Sequence, residues 1–169
     1  MRYFITFACY GAHIHGDESG SVDLHHNVFG SRLLRADRPR AAAERRNMNQ
    51  PPYVLDGESR VVVLQALEQV CQHRGWNLLA AHVRSNHVHI VVEAEVVPEK
   101  AMNDFKAYAS RALNQLGRDE SGRRRWARHG STRWLWKDQD VREAIHYVVD
   151  EQGVPMAVFL RDAKARARP

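Results

Sequence analysis

The sequence predicts an α+β fold, a ferredoxin-like split βαβ sandwich. Its antiparallel sheet has four or five strands, with helices on one face and a long N-terminal insertion. Three observations predict it. Apolar residues alternate with a period of two over 2–10, 76–83 and 87–94. They recur at helical spacing over 56–74, 98–116 and 138–150. The resulting order of strand, helix, strand, strand, helix, strand is that of a split βαβ sandwich.

Taken in order, residues 2–10 form a first strand rich in β-branched and aromatic side chains. Residues 11–52 show neither period. They are glycine-containing and polar, then basic, and close on Pro51-Pro52, with a short helix near Ala41 to Arg46. Such a long connection inside one domain is usually functional or partly mobile. Over 56–74, Val62, Val63, Ala66, Leu67, Val70 and Cys71 make a helical stripe, and Gly75 follows as the C-terminal glycine. A second strand over 76–83 and a third over 87–94 join through Arg84-Ser85-Asn86 as a hairpin. Pro98 opens the next helix, which runs to about Leu116. A basic loop over 117–130 precedes a short strand at 132–136 and an acidic-fronted helix over 138–150, closed by Gly153. The domain division is therefore one domain over 1–155, carrying the 11–52 insertion, and a basic tail over 156–169, part of it extended.

The chain has 169 residues, a net charge of +5 and two cysteines. Its length suits one domain with a real core. Its charge permits a polyanionic partner without demanding one. Cys9 and Cys71 lie in apolar surroundings with no paired spacing, so both read as reduced core residues. No apolar run is long enough for a membrane span, and no signal segment is present, so the expected location is the cytoplasm, with no membrane partner.

Chemistry concentrates at Ser85-Asn86-His87-Val88-His89-Ile90-Val91-Val92. Alternation puts His87 and His89 on one face of a strand, about 7 Å apart, where two imidazoles can share one metal ion. A second pair, His13 and His15, sits among Gly11, Gly16, Asp17 and Gly20 and reads as loop histidines. About twenty residues after His87 comes Phe105-Lys106-Ala107-Tyr108 on a helix, with Arg111 one turn on. A tyrosine hydroxyl has an ordinary pKa near 10, and adjacent cations or a metal favour its phenolate. Without such help, Tyr108 reads as an amphipathic helix residue with a buried body and a wet tip. Arg123, Arg124, Arg125 and Arg128, interleaved with Trp126, would suit a DNA strand that needs both phosphate neutralisation and a stacking surface. Solvated surface is the competing reading for the arginines, and core packing for Trp126, Trp134 and Trp136.

Asn-His-Val-His with aliphatics, the Phe-Lys-x-Tyr helix and Trp134-Leu135-Trp136-Lys137 with the helix behind it together resemble the HUH single-tyrosine transposases, above all the REP-associated tyrosine transposases. The resemblance covers most of the chain. It implies cleavage and joining of single-stranded DNA, with hairpin DNA the expected target. His87 and His89 would hold Mg2+ or Mn2+, and Tyr108 would form a 5′-phosphotyrosine. Lys106, Arg111, Arg123, Arg124, Arg125, Trp126 and Arg128 would meet the DNA, and the protein would be a monomer or homodimer. The family's third ligand often comes one turn after the tyrosine. Here Ala112 occupies that position, and Asn114 and Gln115 lie off the Tyr108 face. His129, ahead of Trp134, is the first substitute, with His13 or His15 behind it. Two other classes stay open: a domesticated hairpin-binding protein that does not cleave, and a phosphodiesterase that uses water and leaves Tyr108 structural.

Overall fold

The structure, a computed structural model, describes residues 1–12 and 46–161. His13, His15, the arginines Arg32 to Arg45, most of the expected helix near Ala41 and the tail from 162 onward lie outside the described residues. The elements run β1 (Arg2–Cys9), α1 (Gly57–Arg74), β2 (Asn77–Val83), β3 (His87–Glu93), α2 (Pro98–Gln115), β4 (Trp126–Trp134), α3 (Asp138–Asp150) and β5 (Ala157–Leu160). The strands form one antiparallel sheet in the order β4-β1-β3-β2-β5. The first four strands have the split βαβ arrangement, and β5 adds an edge beside β2.

Each helix is fixed by local chemistry. The Asp56 carboxylate accepts from the Ser59 N–H at 2.8 Å, capping α1, and Gly75 ends it at φ 68°. Pro98 opens α2 where no helical N–H partner is needed. Asp140 reaches back to the Lys137 N–H at 3.0 Å and closes a capping box on α3.

The sheet divides the interior. Tyr3, Ile5, Phe7 and Cys9 of β1 and Val88, Ile90 and Val92 of β3 pack under α1 and α2, against Val63, Leu67, Phe105, Ala109 and Leu113. Phe105 is fully buried there, and truncating it to alanine would cost on the order of 3–5 kcal/mol. The Tyr3 hydroxyl, buried in the same layer, donates to the Val96 carbonyl at 2.9 Å. The opposite face carries a smaller cluster. Val141, Ala144 and Val148 of α3 pack with Leu79, Ala80, Val91 and Leu135. Two helices thus share one face as expected, and the third covers the other.

Two boundaries differ from the sequence expectation. β4 begins at Trp126 rather than after 130, because Trp126 pairs with Cys9 across an irregularity and anchors the strand early. β5 pairs with β2 over Ala157–Leu160, so the sheet continues past residue 155 into the stretch assigned to the tail. No helix among the described residues is long and apolar enough to cross a membrane.

Candidate metal and tyrosine site

The site begins with the turn between β2 and β3, which is held from two sides. The Cys9 N–H donates to the Asn86 carbonyl at 2.7 Å and the Leu55 N–H to the Ser85 carbonyl at 2.7 Å. Arg84 N–H bonds the His87 carbonyl at 2.9 Å and closes the hairpin. From that turn β3 runs inward between β1 and β2, with Thr6 and His82 directly opposite His89 and Ala8 opposite His87. The β3 alternation gives Val88, Ile90 and Val92 to the α1/α2 core and His87 and His89 to the α3 side.

The two imidazoles lie 4.7 Å apart, centroid to centroid, at 72°. His87 Nδ1 sits 2.7 Å from the Asn86 side-chain oxygen. That oxygen accepts, so the network assigns the proton to Nδ1 and the lone pair to Nε2. His89 Nδ1 is 2.8 Å from the Thr6 hydroxyl, which can accept from it or donate to it. His89 is only 6% exposed. Burial pushes its pKa down to about 3, helped by the neighbouring His87 and opposed by the Gln152 side chain. It is neutral at physiological pH, the state a metal ligand requires. Its Nε2 is buried and has no hydrogen-bond partner at bonding geometry among the described residues. Gln152 lies close enough to act on the ring, but its own amide N–H is committed to the Tyr147 carbonyl at 3.1 Å.

Tyr147, on α3, completes this face. Its ring lies 5.7 Å from His89 and 5.8 Å from Phe4, edge-on to both. Phe4 in turn stacks on His89 at 5.8 Å. The next residue along ties the helix down. The Val148 carbonyl accepts from His82 Nδ1 at 2.9 Å, and His82 Nε2 accepts the Met156 N–H at 3.2 Å. His82 is fully buried, and burial lowers its pKa, with Val148 opposing. It is a satisfied neutral histidine joining β2, α3 and the approach to β5. Tyr147, His82 and Gln152 carry no site role in the sequence reading.

Most of the other candidates lie elsewhere. Tyr108 is on α2, across the sheet from His87 and His89. Its ring meets His73 of α1 at 6.1 Å and carries Arg111 at 4.5 Å. The expected union of Tyr108 with the two histidines is therefore not formed, because the apolar stripe of α2 seats on the aliphatic face of β3. Lys106 is buried, donating to the Ala127 and His129 carbonyls at 3.0 and 3.2 Å, with Phe7 beneath it. Burial lowers its pKa, and it serves as a strut between α2 and β4 rather than an open cation. Trp126 donates to Ser110 Oγ at 2.9 Å and packs edge-on to Phe7, so its ring is part of the structure. Arg125 is buried against Asp119 at 2.7 Å. Arg123 donates to the carbonyls of Pro51 and Pro52 and lies over Tyr53. Of the arginine run, Arg124 and Arg128 are exposed.

His129 is exposed on the edge strand β4 and does not join the pair. Among the described residues no group of three His, Cys, Asp or Glu side chains could hold a metal. The pair itself fits a divalent cation. Two imidazoles share a face, both have Nδ1 engaged, and the His89 Nε2 is buried without a hydrogen-bond partner among the described residues. The Gln152 side chain, which acts on the His89 ring, carries an amide oxygen that could serve as a third donor.

A family model described as "Transposase IS200 like" matches residues 49–151, a span that includes both Tyr108 and Tyr147. Among solved structures, one resembling this fold is a REP-associated tyrosine transposase bound to a REP hairpin, at 10% identity and a TM-score of 0.48, covering 89% of this chain. The chain spans 65% of that protein's chain, less than two thirds of its length. Another is a protein described as a transposase from Deinococcus radiodurans R1, at 14% identity and a TM-score of 0.43, with 90% of each chain covered. No curated protein matches the chain.

Proposed function

The chain belongs to the IS200-like transposase family, and from that premise we propose that it cleaves and rejoins single-stranded DNA through Tyr147, at hairpin-containing sites. The observation that carries this reading is the Tyr147 ring, 5.7 Å from His89 on the histidine face, with Tyr108 on the other side of the sheet. A nucleophile must share a face with the group that activates the phosphate.

His87 and His89 would hold Mg2+ or Mn2+ through Nε2, with the Gln152 amide oxygen beside them. The cation, when bound, supplies charge neutralisation at the scissile phosphate. Tyr147 Oη attacks phosphorus. The P–Oη bond forms, the P–O3′ bond breaks, the phenolic proton passes to solvent and the departing 3′ oxygen takes up a proton. The products are a 5′-phosphotyrosine and a free 3′-hydroxyl. Attack by that or another 3′-hydroxyl reverses the step, with no external energy source. Asn86 assigns the His87 tautomer, Thr6 engages His89 Nδ1, and α3 delivers the phenol.

Incubation of labelled hairpin oligonucleotides with Mn2+ tests this directly. Wild type and Tyr108→Phe should both form a covalent DNA adduct, and Tyr147→Phe should not. Loss of the adduct in Tyr108→Phe with retention in Tyr147→Phe would reverse the assignment. Cleavage by wild type without any adduct would point to water as the nucleophile, and binding without cleavage to a domesticated hairpin binder.

A further inference from the structure

We propose that Arg84 binds the scissile phosphate, placing a guanidinium beside the histidine pair. The proposal rests on the reading of the site as a DNA-cleavage centre and adds a residue that touches the reacting group.

The placement follows from register. Val83 pairs with Val88, and both face the α1/α2 core. The next pair outward is Arg84 and His87, joined by the Arg84 N–H to His87 carbonyl bond at 2.9 Å. One step along each strand reverses the face, so Arg84 shares a face with His82, His87 and His89. Directly opposed cross-strand residues have Cβ atoms about 5 Å apart. The guanidinium confirms the direction: Nη1 donates to the Val154 carbonyl at 2.9 Å, in the connection that follows α3. Its charge also reaches both His89 and His82.

The rest of Arg84 is uncommitted. Among the described residues the guanidinium makes that one hydrogen bond and no ion pair. By contrast Arg118, Arg123 and Arg125 are each engaged by carboxylates or by several carbonyl or amide oxygens. A guanidinium has five N–H donors in a planar fork suited to two oxygens of one phosphate. Held at one corner by Val154, Arg84 is aimed but still has donors to give. Charge that develops on the phosphate oxygens during in-line attack is what such a fork stabilises. The residue next to it in sequence belongs to the pinned hairpin turn, so little reorganisation is needed at the moment of reaction.

Arg84→Met and Arg84→Lys separate a phosphate contact from a structural tie. Affinity for a 20-nucleotide single-stranded probe is measured against NaCl, adduct formation is followed in single turnover with Mn2+, and Tm is recorded for each variant. One lost phosphate contact should flatten the logarithmic salt slope by about 0.7 in Arg84→Met. Adduct formation should slow roughly 10²-fold, the usual effect of one lost transition-state donor. Arg84→Lys should keep the salt slope while remaining slower than wild type, because an ammonium cannot form the fork. Unchanged slope and rate would overturn the proposal. So would a slower rate with unchanged slope and a lower Tm, which would leave Arg84 as only the tie to Val154. If wild type forms no adduct, the proposed reaction fails, and the salt slope alone decides whether Arg84 meets a phosphate.

Discussion

Acid should weaken this fold through His89, by an amount that can be worked out. The folded pKa is pushed down to about 3, chiefly by burial, from an ordinary 6.5. Between those values the unfolded chain binds a proton that the folded chain refuses. Stability from this group is therefore complete above pH 6.5 and is lost as pH falls toward 3. At pH 5 the unfolded state gains 1.5 pH units of protonation, worth about 2 kcal/mol at 1.36 kcal/mol per unit. At 6% exposure, solvent screening takes little from that figure. Urea unfolding of metal-free protein at pH 7.5 and pH 5, for wild type and His89→Gln, isolates the effect, because the other titrating groups are common to both. Wild type should lose about 2 kcal/mol more than the variant between the two pH values. Equal losses would mean that His89 is protonated in the folded state, and the buried neutral imidazole that the proposed cation binding needs would be gone.

Lys106→Met should lower stability by about 2 kcal/mol, because two β4 carbonyls lose a charged donor, while leaving the salt dependence of DNA binding unchanged. A flattened salt slope would restore Lys106 to the DNA surface. Arg124→Gln with Arg128→Gln should flatten that slope by about 1.4 if both meet phosphates of a single strand, whereas Arg125→Gln should instead lower Tm by breaking its pair with Asp119. Gly130→Ala should cost about 1–3 kcal/mol, since its Cβ would come within 2.5 Å of the Thr6 carbonyl oxygen between β1 and β4. A thermal melt matching wild type would show that β4 can shift at no cost.

The strand carrying the histidines is legible from its alternation, and both its faces follow correctly. The tyrosine that shares their face is not, because sequence proximity favours α2 while the sheet puts α3 there. A physical signal was present nonetheless. Val88, Ile90 and Val92 are the aliphatic face, and the long apolar stripes of α1 and α2 need such a face to bury. The histidine face must then meet the remaining helix, whose tyrosine is Tyr147. The arginine run misleads for a different reason. Charge pattern gives composition but not exposure, and Arg125 is drawn inside by Asp119, six residues earlier in the chain. Lys106 looks like a solvated cation beside Tyr108, yet its neighbour across space is the carbonyl edge of β4. The pairing that starts β4 at Trp126 depends on Cys9, far away in the chain, and leaves no local trace.

The histidine at position 82 also bears on where the molecule can be cut. Its Nε2 accepts from the backbone of Met156, and Arg161 reaches back to the carbonyls of Leu78 and Leu79 at 2.7 and 3.0 Å. A shortened protein ending at 155, outside the matched family span of 49–151, would look complete by alignment. It would nevertheless leave the buried His82 Nε2, on β2 opposite His89, without the Met156 N–H it accepts. A fragment that keeps these contacts therefore runs through Arg161, and a fusion tag joined sooner would disturb the histidine face from outside it.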